Sequence, residues 1–340
     1  MDSLTQIVLG AACGEAVLGK KIGNKALLFG AIGGTIPDLD VFVGPLFFKN
    51  EIDAMLFHRG FMHSILFAAL GAFLFGWLVH KLYDSGKRTN ITTRKDWVLL
   101  FFWALFTHPI LDAFTPYGTQ LFAPFSDYRV AFNNIAVADP LYTAPFLICI
   151  IILMFYNRTK TKRRFWLKLG IGLSSAYMLF TLFNKVYIDN VFKNTLADKQ
   201  INYSRFSTQP AILNNILWYG IAETETNYQV GFYSLLDSSN RFIDWKVISK
   251  QQILNAKEHA DIKCLAWFSN DYYNVESFND SEFLYKDLRY PLVETRSGYR
   301  AIFNLRLFKD QGRLNMKPFA PEMDDFAFTM KALWIRLKGK

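Results

Sequence analysis

The chain has 340 residues, 51 % of them hydrophobic and 17 % aromatic, and a formal net charge of +9. That length holds two domains or one large one. Three scattered cysteines, Cys13, Cys149 and Cys264, exclude a disulfide framework and a CxxC metal site.

The N-terminus has Asp2 in place of a basic region and no cleavage pattern, so it does not read as a signal peptide. Leu4–Leu18 is apolar but punctuated by Gly10, Gly14 and Glu15, which suggests a re-entrant segment or a helix lying against others. Five runs near the ~20 residues needed to cross hydrocarbon follow: Ala26–Phe48, Phe61–Tyr83, Trp97–Thr115, Pro140–Tyr156 and Phe165–Tyr187. Short loops beside them carry Lys20, Lys21 and Lys25, then Lys81, Lys87, Arg88, Arg94 and Lys95, then Arg158, Lys160, Lys162, Arg163 and Arg164. This is the positive-inside pattern. It accounts for the net charge through topology and anionic membrane lipids, and no nucleic-acid partner is expected. With those loops in the cytoplasm, residues 49–60, 116–139 and everything after about 188 face outward. From about Lys193 the composition turns polar, and "NNILWYGIAET", "YQVGFYSLL" and "YRAIFNLRLF" read as strands. The fold class is therefore an α-helical polytopic membrane domain of about five or six spans over residues 1–190, followed by a mostly β soluble domain, extracytoplasmic, over 191–340. Trp218, Trp245 and Trp267 read as core or interface residues.

"IPDLD" (36–40) breaks the first good run, and "HRGFMHS" (58–64) opens the second. A charge at mid-bilayer costs about 2.5–3.5 kcal/mol on insertion scales, so such residues face a cavity, a partner or an ion. Pro37 strains a helix, and a break there can turn Asp38 and Asp40 toward one point. Gly60 allows a turn between His58 and His63. In "THPILDAF", His108 and Asp112 stand at i and i+4, on one helix face. The charge-based topology brings all six to one depth near the outer surface. Asp38, Asp40, His58, His63, His108 and Asp112 are thus candidate ligands of a divalent metal, zinc first and manganese or iron as alternatives. Asp38 and Asp40 are also the candidate catalytic carboxylates, one of them able to serve as general base beside a metal-bound water. Arg59 and Arg129 are candidate substrate-binding cations. For any one of the six alone, a buried salt-bridge network is the simpler reading. His80 lies at the cytoplasmic end of its run and His259 reads as a surface residue. Asp139 ahead of Pro140 reads as a helix cap.

"MDSLTQIVLGAACGEAVLGKKIGNKA", "GTIPDLDVF", "HRGFMHS", "HPILDAFTPYGTQLFAPFS" and "ADPLYT" together resemble the YdjM-type membrane-bound, metal-dependent hydrolases of bacteria, over roughly residues 1–145. The resemblance implies a bacterial inner-membrane protein whose hydrolase site falls on the same six residues. Many relatives begin MDxxTH, whereas this chain has Gln6, which removes one potential ligand and leaves Asp2 as a residue that could still point into the site. No GxSxG elbow is present. The expected activity is metal-dependent hydrolysis near the outer leaflet, on a phosphoester or lipid substrate. The alternative is a non-enzymatic membrane protein with a structural metal or polar cluster, whose outer domain binds an envelope protein.

Overall fold

A computed structural model describes residues 1–296, 298–319 and 326–340. The chain divides into two compact units, one of Met1–Gly44 with Phe57–Leu182 and the other of Pro45–Leu56 with Phe183–Lys340.

The first unit is helical. Helix α1 (Ser3–Ile22) starts where the Asp2 carboxylate accepts from the Thr5 amide. It is one continuous helix of 20 residues, so the segment does not re-enter. The same bond corrects the expectation for Asp2, which is spent on capping. Helix α2 (Asn24–Thr35) packs on α1 along a glycine seam. A methyl group on Gly14 would fall onto the Ala26 carbonyl, and one on Gly30 onto the Gly10 carbonyl. Only glycine lets the two backbones meet this closely. At Pro37 the helix tightens into a 3₁₀ turn, Ile36–Leu39, and then resumes as α3 (Asp40–Phe47). The polar residues thus enter through a local break, as Pro37 implied.

After the short α4 (Glu51–Phe57) come α5 (Ile65–Tyr83), α6 (Arg94–Ala113), α7 (Pro140–Met154) and α8 (Thr161–Asp198). Asp139 caps α7 through the Leu141 amide, with Pro140 at the first position. Among the described residues four helices are long and apolar enough to cross a membrane: Asn24–Phe47, Ile65–Tyr83, Arg94–Ala113 and Thr161–Asp198, with Pro140–Met154 a shorter apolar helix. Helix α8 has 38 residues, about 57 Å at 1.5 Å per residue, nearly twice the hydrocarbon thickness of ~30 Å. It runs through residue 190 without a break, and Ile188, Val191, Phe192 and Leu196 are core residues of the second unit.

That unit is built of antiparallel sheets. β1 (Arg205–Pro210), β2 (Leu217–Glu223), β3 (Asn227–Ser234) and β4 (Ile243–Ser249) pair in sequence order. β5 (Tyr273–Ser277), β6 (Glu282–Asp287), β9 (Asn304–Asp310) and β10 (Arg313–Pro318) form a second sheet in the order β10-β9-β6-β5. β7 (Leu292–Thr295) and β8 (Gly298–Ala301) make a hairpin, and helices α9 (Ala260–Phe268) and α10 (Phe326–Leu337) complete the unit. Gly220 in β2 leaves room for the Phe192 ring of α8, whose carbon would stand 2.5 Å from an added methyl.

The unit is discontinuous in sequence. Ile52 of α4 is fully buried among Ile262, Leu265, Leu305, Leu307 and Leu314. Asn50 Nδ2 donates to the Leu314 carbonyl at 2.8 Å, and Arg313 bridges Asp53 and Asp261 at 2.9 and 2.6 Å. Truncating a buried isoleucine to alanine removes transfer energy and leaves a cavity, about 2–5 kcal/mol together. Ile52→Ala is therefore expected to speed amide exchange in β9 and β10, read by mass spectrometry, and to leave α1 and α2 unchanged. Equal protection in the variant would show that α4 is not part of that core.

Candidate metal centre

All the candidate ligands belong to the first unit. Asp38 comes from the 3₁₀ turn, His63 from a second 3₁₀ turn (Phe61–His63) ahead of α5, and His108 and Asp112 from one face of α6. His108 Nδ1 donates to the Gly34 carbonyl at 2.6 Å. That carbonyl is available because α2 ends there, leaving its last acceptors without intrahelical donors. The bond turns His108 Nε2 inward. His63 has its Nδ1 3.1 Å from Asp40 Oδ2, an ion-pair contact, with Nε2 facing the cluster.

Nε2 of His63 and Nε2 of His108 stand 3.2 Å apart. Asp38 Oδ1 lies 3.4 and 3.3 Å from them, and Asp112 Oδ2 lies 3.6 and 3.7 Å from them. A tetrahedron of N and O ligands around zinc at about 2.0–2.1 Å has edges of about 3.3–3.4 Å; these five separations are near that length, so the donor set is compact enough to hold a divalent ion. Among the described residues Asp38, His63, His108 and Asp112 form a group whose ligand atoms all lie within 4.8 Å of one another. A second sign of fit is Asp112. Its Oδ1 accepts from Gln6 Nε2 at 2.9 Å and contacts the Met1 amine, whereas its buried Oδ2 makes no hydrogen bond and has the Arg59 Nε as an ion-pair neighbour at 3.2 Å. Asp112 meets the cations of Arg59 and Met1, whereas Asp38 and Asp40 face the imidazoles of His63, His108 and His58.

Asp40 and His58 stand outside this group, contrary to the six-ligand expectation. Asp40 is 1 % exposed and both of its oxygens are engaged. Oδ1 meets His58 Nδ1 at 2.7 Å, and Oδ2 accepts the Arg59 amide at 2.9 Å and faces His63. It orients two imidazoles, a common support for metal-binding histidine, and has no oxygen left to act as a free base. His58 lies just ahead of the Gly60 turn with its side chain 23 % exposed, and Asp38 is 21 % exposed. These two are the accessible members of the cluster.

Arg59 is buried, and its Nε is 3.2 Å from Asp112 Oδ2, so its first partner is a ligand carboxylate. Its backbone sits at φ +60°, a left-handed conformation that is uncommon outside glycine. Arg59 and Arg129 both lie over the Tyr117 ring, at 4.4 and 5.0 Å from its centroid. Arg129 also donates to the Tyr117 and Gly118 carbonyls at 2.9 and 3.2 Å. Tyr117 and Gln6 were not legible as site residues. Nothing in the sequence around Tyr117 marked its ring as lying between two cations. Position 6 shows as a departure only beside its relatives, and here its amide donates to Asp112 and to the His108 carbonyl. His80 ends α5 and His259 precedes α9, both away from the cluster.

The same strings now have a measured match. The YdjM inner membrane protein family matches residues 1–188, more than half of the chain. The chain belongs to the YdjM inner membrane protein family. The YdjM match ends within α8, so it covers the metal centre and leaves the β sheets outside. A curated relative, the uncharacterized protein YfhP of Bacillus subtilis (strain 168), is 30 % identical over 159 residues, 45 % of this chain and 46 % of that protein. The chain thus matches less than half the length of that relative. No solved structure matches.

The geometry separates ligands from supports. Purified in non-chelating detergent buffer, the protein is expected to retain near-stoichiometric divalent metal by elemental analysis. His63→Ala, His108→Ala and Asp38→Asn should lose most of it, whereas His58→Ala should keep it. Loss of metal in His58→Ala equal to that in His63→Ala would return His58 to the ligand set.

Proposed function

We propose that this protein is a metal-dependent hydrolase of the inner membrane, acting on a phosphoester or lipid headgroup near the outer leaflet. The observation that carries the reading is the close grouping of Asp38 Oδ1, His63 Nε2, His108 Nε2 and Asp112 Oδ2, with Asp38 and His58 half-buried at its edge. A divalent ion held by those four residues, zinc first by donor chemistry, would polarise a phosphoryl oxygen and acidify a bound water. The chain's own residues supply the rest. Asp40 fixes the His58 ring at the accessible edge, where its imidazole can hold or deliver a proton. Arg59 balances Asp112, and half-buried Arg129 offers the cation nearer the surface for an anionic ester.

The outward orientation is supported by charge. Within the first unit, Lys21 pairs with Asp96 at 2.6 Å, and Arg158 donates to the Lys21 carbonyl. Arg163 grips Glu15 with two bonds of 2.7 and 2.6 Å. The basic ends of α1, α6 and α8 thus gather at the end of the bundle remote from His63 and Asp112. Positive-inside bias favours a cytoplasmic position for that end, which supports a metal centre near the outer leaflet.

One observation favours a structural metal instead. Four protein ligands close a zinc tetrahedron, as structural sites do, whereas catalytic zinc usually keeps an open position. The two readings part on His58→Ala. In the zinc-loaded protein assayed against phospholipid and soluble phosphodiester substrates, a catalytic site predicts turnover that His58→Ala lowers by about 10²–10⁴-fold, with metal content unchanged. A structural staple predicts no turnover in either protein, and unfolding when the metal is stripped.

A further inference from the structure

The segment between α6 and α7 is a loop fastened to the metal centre. The Phe132 and Asn134 amides donate to the Ala113 and Phe114 carbonyls at 2.8 and 3.1 Å, and Thr119 and Val130 exchange backbone bonds of 3.1 and 2.9 Å. The Gln120 amide donates to the Arg59 carbonyl at 3.1 Å, and the Ile65 amide to the Leu121 carbonyl at 3.0 Å. The rings of Tyr117 and His58 meet edge to face, with centroids 5.6 Å apart. On the packed side of the loop Thr119, Leu121 and Ala123 are buried. On its outer side Phe122, Phe125, Tyr128 and Phe132 are 54, 84, 66 and 50 % exposed. A backbone held in this way cannot turn those rings inward, and exposed apolar patches mark interaction surfaces.

Helix α5 indicates what covers them. Its first amide, at Ile65, carries the loop at Leu121, so Phe122 stands beside the start of the helix. The helix is long and apolar enough to cross a membrane, and its Leu70, Phe73 and Leu74 are 56, 60 and 57 % exposed. In a member of an inner membrane protein family, such a face belongs to lipid. Phe61 and Ile65 are exposed as well and extend it toward the loop. Tyr128, apolar along its ring and polar at its tip, suits the headgroup level.

We propose that Phe122, Phe125 and Tyr128 seat in the lipid leaflet at the metal-centre end of the bundle, and that the loop thereby presents lipid headgroups to the His58 edge. The substrate class that follows, a membrane lipid taken from the leaflet in place of a water-borne ester, rests on the hydrolase reading. The seating of the loop does not.

The test uses the full chain in nanodiscs of phosphatidylethanolamine and phosphatidylglycerol. The photoreactive residue p-benzoylphenylalanine is placed at Phe125, at Tyr128 or, for reference, at exposed Phe278 of the β unit. After irradiation, intact mass spectrometry is expected to show addition of one phospholipid at the two loop positions. The yield there should exceed that at Phe278 by about tenfold or more, the scale of burying one aromatic ring. Equal yields at the three positions, or adducts to protein in place of lipid, would overturn the proposal. Phe125→Asp should lower the ratio of turnover on vesicle phospholipid to turnover on bis(4-nitrophenyl) phosphate by about tenfold, a ratio that loss of folding does not shift. Lipid adducts with no turnover of either substrate would set aside the hydrolase reading and leave the loop in the leaflet. Turnover of the soluble diester alone, or an unaltered ratio in Phe125→Asp, would overturn the lipid as substrate.

Discussion

Two imidazole nitrogens 3.2 Å apart, each with a polar contact on its ring's far side, define the interior of the helical unit. Their lone pairs repel unless a cation or a shared proton lies between them, and two carboxylates close around the same point. Such a cluster in an apolar bundle is costly on its own, and the surrounding structure is arranged to hold it. The 3₁₀ turn at Ile36–Leu39 brings Asp38 in, and the end of α2 leaves the Gly34 carbonyl free to fix His108. The Gly60 turn sets His63 against Asp40. Helix α6 contributes a ligand pair through nothing more than its own periodicity.

The glycine seam serves the same centre from behind. Gly34, whose carbonyl holds His108, lies where an added methyl would stand 2.6 Å from the Gln6 carbonyl. Close approach of α1 to α2 therefore puts Gln6 within reach of Asp112 and of the His108 carbonyl. A helix that reads as weakly apolar is in this way a wall of the metal centre. Its Glu15 is held at the other end by Arg163.

Local patterns were the legible part. The i,i+4 pair His108 and Asp112, the break at Pro37 and the turn at Gly60 are each encoded within a few residues, and the structure realises all three. The division of labour among six polar residues was not legible, because it depends on which carboxylate oxygen meets which ring nitrogen across different elements. Asp40 and Asp38 are two residues apart and chemically identical, yet one is fully engaged with His58, His63 and the Arg59 amide while the other faces the cluster. The end of α8 was hidden for a different reason. Asn184, Lys185, Asp189 and Asn190 end the apolar run but not the helix. Lys185 pairs with Asp189 at 2.5 Å one turn on, and Asn184 meets Asn215 at 2.7 Å. "EIDAMLF" gave no sign of its destination, since a seven-residue apolar stripe between two spans reads as a loop.

That stripe sets an order of assembly. Asp53 and Arg313 are 260 residues apart in the chain. At ribosomal rates of 5–20 residues per second, roughly 13–50 s separate their synthesis. During that interval α4 emerges between two inserted spans with Ile52, Met55 and Leu56 uncovered, and the rest of its core does not yet exist. The β unit is therefore not an appendage that folds after the membrane part and could be exchanged for another. A graft that carried only residues 183–340 would arrive with a helix-sized gap beside Leu307 and Leu314. The membrane part left behind would keep the apolar face of α4 with nothing to cover it.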